Sequence, residues 1–226
     1  GAAIQVLTGI PAAWGVFQQP VMDEYGLSEQ GAGYAFGILI AAFGVGCVLG
    51  GFLQDSRGPR CAALWGTALL CGGFFAAAIL PGGSAGSFFL AFSIPAGLGT
   101  AFLYPSIQSC AQKWYAGRKG LATGVIGGAV GLSGAFLTVF VRTAVSGFGI
   151  VQGIRGAFWA LGAVTLPVCL AGSLLLQDPP KDAEKQQQND KNTIDLSPWQ
   201  MLKTKQYWLC AGAVCFSTPA VLLFSP

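Results

Sequence analysis

The chain alternates long apolar stretches with short polar islands. All but two of its charged residues fall in four islands, at about 23–29, 55–60, 113–119 and 178–205. Between the islands lie apolar stretches of roughly 20 residues, the length that crosses a bilayer as an α-helix. The pattern predicts six complete membrane-spanning helices and the start of a seventh. These are placed at about 2–21, 32–53, 61–80, 87–111, 121–145, 155–176 and from 207 onward.

The composition supports a membrane protein rather than a soluble one. Charged residues make up 9% of the sequence and hydrophobic residues 53%, whereas soluble domains contain about 25% charged residues. We therefore predict an all-α, polytopic protein embedded in the lipid bilayer. The basic residues cluster at helix ends without interleaved aromatic residues, which argues against nucleic-acid binding. The 7 cysteines form no Cys-x-x-Cys pair and histidine is absent, so no metal site and no cofactor are predicted.

The basic residues divide unevenly between the two sides of the predicted helices. The connections "MDEYGLSEQG", "PGGSAG" and "SGFGIVQG" contain no lysine or arginine. The other connections hold ten of the 12 basic residues, and the positive-inside rule places that side in the cytoplasm. With six complete spans, the N-terminus is then cytoplasmic too. We expect an integral protein of the plasma (inner) membrane.

One polar segment separates the six predicted helices from the seventh. It contains a proline pair that ends the sixth helix and a glutamine-rich run that cannot form a core. The sequence predicts a six-helix N-terminal transmembrane bundle at 1–176, a cytoplasmic linker at 177–203 and the beginning of a C-terminal bundle at 204–226. This organisation is typical of two-halved transporters, in which each half contains two inverted three-helix repeats. We expect the chain to be part of a longer polypeptide whose C-terminal half is its missing partner.

The stretch "GGFLQDSRGPR", residues 50–60, places three charges directly after the second apolar run. Gly58 and Pro59 predict a tight turn, and the positive-inside rule accounts for Arg57 and Arg60. It does not account for Asp55, because the negative end of the helix macrodipole disfavours an acid near a helix C-terminus. We therefore expect a cation or a helix N-terminus elsewhere to be the partner of Asp55.

The same stretch resembles the cytoplasmic signature of the major facilitator superfamily. The shared pattern is G-x-x-x-D-x-x-G-x-R, from Gly51 through Arg60, although Ser56 and Pro59 stand where bases are usual. The segment "KWYAGRKGLATG", residues 113–124, resembles K-W-F-x-x-R-R-G-x-A-x-G of the oxalate:formate antiporter and monocarboxylate transporter-like family. Two further segments, "WGVFQQP" and "WQMLKTKQYW", resemble segments of that family, so the resemblance covers nearly the whole chain.

The resemblance implies a secondary active transporter of small organic anions, such as formate, lactate or oxalate, that works by alternating access. The resemblance also implies that Asp55, the acid of the signature, contacts the opposite half and latches the cytoplasmic side in the outward-open state. The coupling partner, a proton or a counter-anion, stays open. The expected gating residues are Gly51, Asp55, Arg57, Gly58, Arg60, Arg118 and Lys119. The expected substrate-binding residues are Tyr104, Trp14 and Arg142.

Each of these roles has a structural alternative. Arg142 and Arg155 are expected at the outer surface of the membrane. There each could attract anions or could instead anchor its helix by extending its charged group to the interface. Tyr104 and Pro105 suit a kinked packing helix as well as a cavity wall. The glycines at 120, 124 and 128 suit static packing as well as a face that rocks against a partner. For the whole protein, the alternative is a non-transporting membrane scaffold or accessory protein with the same fold.

Overall fold

The computed structural model describes residues 1–80, 85–148 and 153–177, together with residues 200, 203–209, 211–213 and 215. Most of these residues are helical, and no strand occurs among them. Backbone contacts divide the chain into two units, Gly1–Pro179 and Pro180–Pro226, and each is described by itself. The α-helices of the first unit are α1 (Ala2–Thr8), α2 (Trp14–Tyr25), α3 (Glu29–Arg57), α4 (Pro59–Ile79), α5 (Ala85–Phe88), α6 (Ile94–Trp114), α7 (Lys119–Phe148) and α8 (Gly153–Leu175).

The second to sixth predicted spans are present as helices. Helices at Glu29–Arg57, Pro59–Ile79, Ala85–Trp114, Lys119–Thr143 and Gly153–Leu175 are long and apolar enough to cross a membrane. The prediction of an all-α, polytopic membrane protein is therefore confirmed. In the second unit, residues 205–209, 211–213 and 215 are helical, and those from 207 onward fall on the predicted seventh span. Of the predicted linker at 177–203, residues 178–199, 201 and 202 lie outside the described residues.

The first predicted span is not a continuous helix, which corrects the prediction for residues 2–21. α1 ends at Thr8, a 3-10 turn covers Ile10–Ala13, and α2 begins at Trp14. Pro11 causes the break, because it has no backbone N–H to donate to the carbonyl of Leu7 and its ring crowds that carbonyl. The two helices and the turn together cover residues 2–25, which at helical rise still suffices to cross a bilayer.

The fourth span also departs from regular α-helix. Between α5 and α6, residues Phe89–Ser93 form a π turn, and the amide of Ile94 donates to the carbonyl of Phe89. Pro95 follows directly and cannot donate to the carbonyl of Ala91, so the wider turn accommodates it. Ala85–Trp114 nevertheless forms one membrane-length element.

Close backbone contact places α6 between α3 and α4. A β-carbon on Gly97 would lie 2.4 Å from the carbonyl oxygen of Leu39 in α3, and one on Gly99 would lie 2.5 Å from the amide nitrogen of Leu70 in α4. Glycine is therefore required at both positions, as is typical of helix packing in lipid. α8 packs on α4, and α1 packs on α7.

The two ends of the bundle differ in character. We call the end that carries the α3–α4 and α6–α7 turns, with their exposed basic residues, the basic end. Towards the opposite end, aromatic side chains form the core. The ring centre of Phe158 lies 5.0 Å from that of Phe92 and 5.9 Å from that of Phe17. Tyr25 packs 4.7 Å from Phe88, ring centre to ring centre, so α2, the fourth span and α8 share one core.

Candidate functional site

The α3–α4 turn at the basic end is a tight turn that depends on glycine. Gly58 has φ of 86°, a conformation that side-chain-bearing residues avoid. Its amide donates to the carbonyl of Gln54 at 2.8 Å and closes the last turn of α3. Pro59 begins α4, where its missing N–H leaves no helical hydrogen bond unmade. The turn lies where the sequence predicts it.

Asp55 lies in the last turn of α3, and its side chain is exposed. Arg57 and Arg60, on either side of the turn, are exposed as well. No residue in the described part of the chain forms an ion pair with Asp55. The negative end of the α3 dipole still disfavours this carboxylate, so Asp55 retains the need for a partner that the sequence indicates.

One face of α3 leads from Asp55 along the helix and is lined by glycine. Gly33, Gly37, Gly44 and Gly51 share this face, and a β-carbon on any of them would meet no atom within 4 Å. The buried face of the helix is a different one, with Ala32, Ala35, Leu39, Gly46 and Gly50. We call the glycine face with Asp55 the open face of α3.

α7 has a second face of the same kind. A β-carbon would meet no atom within 4 Å at any glycine of this open face of α7, which comprises Gly120, Gly124, Gly127, Gly128 and Gly131. Arg118, in a short 3-10 turn, and Lys119, the first residue of α7, are exposed at its basic end. The residues predicted to gate therefore lie at the ends of two open faces of one bundle.

Two hydrogen bonds that the sequence does not reveal hold the basic ends of the helices together. Gln54 Nε2 donates to Ser109 Oγ at 2.6 Å and links α3 to α6. Gln112 Nε2 donates to Thr123 Oγ1 at 2.9 Å and links α6 to α7. In the sequence, these amides and hydroxyls stand out only as polar side chains near the ends of apolar runs, close to the charged islands. Those contacts fix the positions of both turns relative to α6.

The residues predicted to bind substrate lie in three different surroundings. Trp14 is only 6% exposed, and its ring centre lies 5.9 Å from that of Phe36 and 6.4 Å from that of Phe92. Tyr104 is partly buried on α6. Arg142 is exposed on α7, far from the basic end. Of the three, Trp14 is a core residue, whereas the other two retain accessible surface.

Arg155 is not a free anchor but one half of an ion pair. Its Nε lies 2.8 Å from Glu24 Oε1, and both side chains are about one-third exposed. This contact joins the end of α2 to the start of α8. Beside it, Tyr25 donates a hydrogen bond of 2.7 Å to the carbonyl of Ala77 at the end of α4. The two contacts tie α2, α4 and α8 together at the end opposite the basic end.

A buried polar cluster lies at the break in the first span. Thr8 Oγ1 lies 3.0 Å from Gln5 Oε1 and 3.4 Å from the carbonyl oxygen of Gln5. Ser133 Oγ of α7 lies 3.4 Å from the carbonyl oxygen of Gly9 and contacts that of Val130. Gln5, Thr8 and Ser133 are at most 1% exposed. The sequence does not indicate this arrangement, because Ser133 lies far along the chain from Gln5 and Thr8.

The described residues contain no group of three or more histidine, cysteine or acidic side chains that would hold a metal ion. Such a group is the usual protein site for transition metals. The polar chemistry of the described bundle therefore rests on hydroxyls, amides, backbone carbonyls and a few charges at the helix ends.

Residues 2–226 match the Major Facilitator Superfamily, and the chain belongs to this family. The membrane-length helices accord with that assignment, and the protein is an integral membrane protein. Because members of this superfamily are transporters, the chain is assigned to a transporter family and not to an enzyme family. The resemblance noted in the sequence is thus confirmed at the level of the superfamily.

Several proteins are similar over most of the chain. The oxalate:formate antiporter of Oxalobacter formigenes is 23% identical over 90% of the chain and 47% of its own length. An uncharacterized 38 kDa protein of Thermoproteus tenax is 30% identical over 94% of the chain and 52% of its own length. Monocarboxylate transporter 9 of Rattus norvegicus is 28% identical over 74% of the chain and 32% of its own length. The chain therefore spans about half the length of the first two relatives and a third of the last.

A solved structure shares the fold. The crystal structure of the peptide transporter POT (E310Q mutant) in complex with sulfate matches 99% of this chain and 46% of its own chain, with a TM-score of 0.56 and 22% identity. At this identity the likeness concerns the fold alone. It supports the bundle architecture described above.

Proposed function

We propose that this chain is the N-terminal half of a secondary active transporter of small organic anions that works by alternating access. The observation that carries the proposal is the pair of open faces on α3 and α7, in a chain of this superfamily. A glycine-lined face offers backbone rather than side-chain surface, which suits the close approach of another helix more than contact with lipid. A second bundle packed on these faces would complete the transporter.

The basic end of the bundle is the proposed gate. Gly58 shapes the α3–α4 turn next to Asp55, Arg57 and Arg60, and Gly51 lies on the open face of α3 one helical turn before Asp55. A helix N-terminus or a cation of the second bundle would satisfy Asp55. At the start of α7, Arg118 and Lys119 provide cations that would contact acidic groups of the second bundle. Contacts of this kind form when the basic end closes and break when it opens.

The proposed substrate is a small carboxylate, such as formate, lactate or oxalate. Support comes from the names of two relatives, the oxalate:formate antiporter and monocarboxylate transporter 9. Tyr104 is the residue that we propose contacts substrate, because its hydroxyl lies on a partly buried side chain of α6. Trp14 is proposed to shape the wall of the path from within the core. Arg142 is proposed to attract anions towards the path.

We further propose that the basic end faces the cytoplasm in a plasma membrane, with the N-terminus on the same side. The distribution of lysine and arginine supports this orientation. In a background without native cysteines, Gln30→Cys should react with an impermeant maleimide from outside intact cells, and Gly117→Cys should not. The opposite labelling pattern would refute the orientation.

Uptake into proteoliposomes tests the function directly. The full-length protein that contains this chain should take up labelled formate, lactate or oxalate with saturable kinetics. Internal counter-anion should stimulate exchange, whereas an imposed pH gradient should stimulate proton symport, so the two modes are separable. If folded protein gives no saturable flux of any small carboxylate, the substrate assignment is wrong and the scaffold alternative is favoured.

A further inference from the structure

A groove at the basic end of the bundle lies between α6, the end of α8 and the start of α1. Its cavity has a volume of about 320 Å³. This volume is near the lower end of the range of small-ligand cavities, about 300–1,000 Å³, so the groove holds part of an extended ligand rather than a whole one. Apolar side chains form most of its wall: Ile107, Ala111 and Trp114 of α6, with Leu175 and Leu176 around the end of α8. We call it the α6–α8 groove.

Two polar side chains of the groove share one acceptor. Trp114 Nε1 donates to the carbonyl of Gln177 at 2.8 Å, and Cys110 Sγ donates to the same carbonyl at 3.3 Å. These hydrogen bonds hold the end of α8 against α6 and occupy both lone pairs of that oxygen. A ligand along this wall therefore meets mainly carbon surface, which suits an apolar chain rather than a polar solute.

The groove lies at the level where the apolar spans end. α6 ends at Trp114 and α8 ends at Leu175, and both belong to membrane-length helices. Trp114 and Tyr115 are more than half exposed, and Leu175 is 81% exposed. Exposed tryptophan and tyrosine are typical of the level at which lipid headgroups meet acyl chains. The groove is therefore placed where it contacts both parts of a phospholipid.

Cations follow the groove-lining residues along the chain. The amide of Arg118 donates to the carbonyl of Tyr115 at 2.8 Å, so the backbone of Arg118 lies against a residue that lines the groove. Arg118 and Lys119 are exposed, and residues 107–119 contain no acid. The acid nearest along the chain to a lining residue is Asp178, which lies outside the described residues. The described rim of the groove therefore suits a negatively charged group.

From the apolar wall, the interfacial level and the cationic rim, we infer that the α6–α8 groove binds an anionic phospholipid. One acyl chain lies along Ile107, Ala111 and Leu175. The phosphate lies beside Arg118 and Lys119, as basic pockets between membrane helices hold anionic headgroups. A zwitterionic phospholipid has the same acyl chains, but these cations repel its ammonium group. The binding does not depend on which substrate the protein carries.

Quenching of Trp114 by brominated phospholipids tests the site. A full-length variant that retains Trp114 as its only tryptophan, with phenylalanine at the other positions, is reconstituted in phosphatidylcholine vesicles. A brominated acyl chain quenches tryptophan fluorescence on contact. Brominated phosphatidylglycerol should bind roughly 10-fold or more tightly than brominated phosphatidylcholine, because each cation beside an anionic headgroup contributes about 5-fold. Added salt should reduce this preference.

Trp159 supplies the matched control. It is half exposed on α8, outside the groove and near the opposite end of the bundle. As the only tryptophan, it should be quenched equally by the two lipids. In the protein that retains Trp114, Arg118→Gln combined with Lys119→Gln should remove most of the preference for phosphatidylglycerol. Arg142→Gln, at the opposite end, should keep it.

Filling the groove tests its role separately. Ala111→Phe places a ring in the groove and should reduce quenching of Trp114 by brominated phosphatidylglycerol. Ala163→Phe, at an exposed position of α8 outside the groove, should not. Thermal unfolding in detergent identifies variants that fail to fold. If the single-tryptophan protein fails to fold, the wild type provides a second measurement: phosphatidylglycerol should raise its melting temperature more than phosphatidylcholine, and Ala111→Phe should abolish the difference.

Three results in folded protein would overturn the inference. Equal quenching of Trp114 by the two lipids would mean that the groove has no preference for an anionic headgroup. An unchanged preference after the paired substitution of Arg118 and Lys119, or after Ala111→Phe, would place the lipid elsewhere. Absence of quenching by either lipid would mean that a segment of the full-length protein fills the groove instead.

Discussion

At the scale of single residues, Glu24 and Arg155 show how two unfavourable placements become favourable together. Glu24 lies at the C-terminal end of α2, and Arg155 lies in the first turn of α8. Each charge has the sign that its own helix dipole disfavours and the sign that the other helix favours. The contact of 2.8 Å brings each charge to the helix end that stabilises it. The pair thereby fixes the end of α2 against the start of α8.

A double-mutant cycle measures that pair. Glu24→Gln and Arg155→Gln should each lower thermal stability in detergent, and the double variant should lose less than the sum. We expect a coupling free energy of about 0.5–1 kcal/mol, the range of partly exposed ion pairs. The cycle Glu29→Gln with Arg155→Gln serves as control, because Glu29 is an exposed acid at the start of α3. Additive losses for Glu24 and Arg155 would mean that the contact contributes nothing.

At the scale of helices, the glycines divide into two classes that the sequence does not distinguish. On α6, Gly97 and Gly99 touch the backbones of α3 and α4. On the open faces of α3 and α7, a β-carbon added to the glycines would meet no atom within 4 Å. Small residues in an apolar helix predict close packing in both cases. Only the positions of the neighbouring helices decide which glycines contact another helix within the bundle.

Gly97→Ala should destabilise the bundle, because the new carbon would lie 2.4 Å from the carbonyl oxygen of Leu39. The backbone of α3 at Leu39 cannot shift without disturbing its own helix, so we expect the free energy of unfolding to fall by about 1–3 kcal/mol. Gly72→Ala is the control, since Gly72 is exposed on α4 with no atom within 4 Å of the added carbon. Thermal unfolding in detergent checks both variants, and equal melting temperatures would contradict the packing of α6 described above.

At the scale of the whole molecule, the described bundle carries an acid that lacks a partner within it. Asp55 is exposed at the basic end, and the open face of α3 runs away from it. The open face of α7 begins beside Arg118 and Lys119. A single bundle gains nothing from this arrangement, whereas two bundles that meet at these faces gain both packing and a charge contact.

Asp55→Asn should therefore impair turnover more than substrate binding. The lost contact involves a charged group and corresponds to a reduction in turnover of roughly 10-fold or more, with the half-saturating substrate concentration little changed. Asp23→Asn is the matched control, because Asp23 is an exposed acid of α2 that contacts Gln19. Proteoliposome uptake under saturating formate, lactate or oxalate provides the measurement. Wild-type turnover in Asp55→Asn would exclude the latch.

The sequence by itself determined the five membrane-length helices of the second to sixth predicted spans and the position of the tight turn at Gly58, because hydrophobic length and backbone chemistry are local properties. It also indicated that Asp55 needs a partner, since the sign of a helix dipole follows from direction alone. It could not reveal the pairing of Glu24 with Arg155 or the contact of Ser133 with the break after Thr8, because in each case the partners are separated by more than a hundred residues. The tertiary structure decided these contacts, and it decided which glycines are buried, because only the close approach of helices brings such distant atoms together.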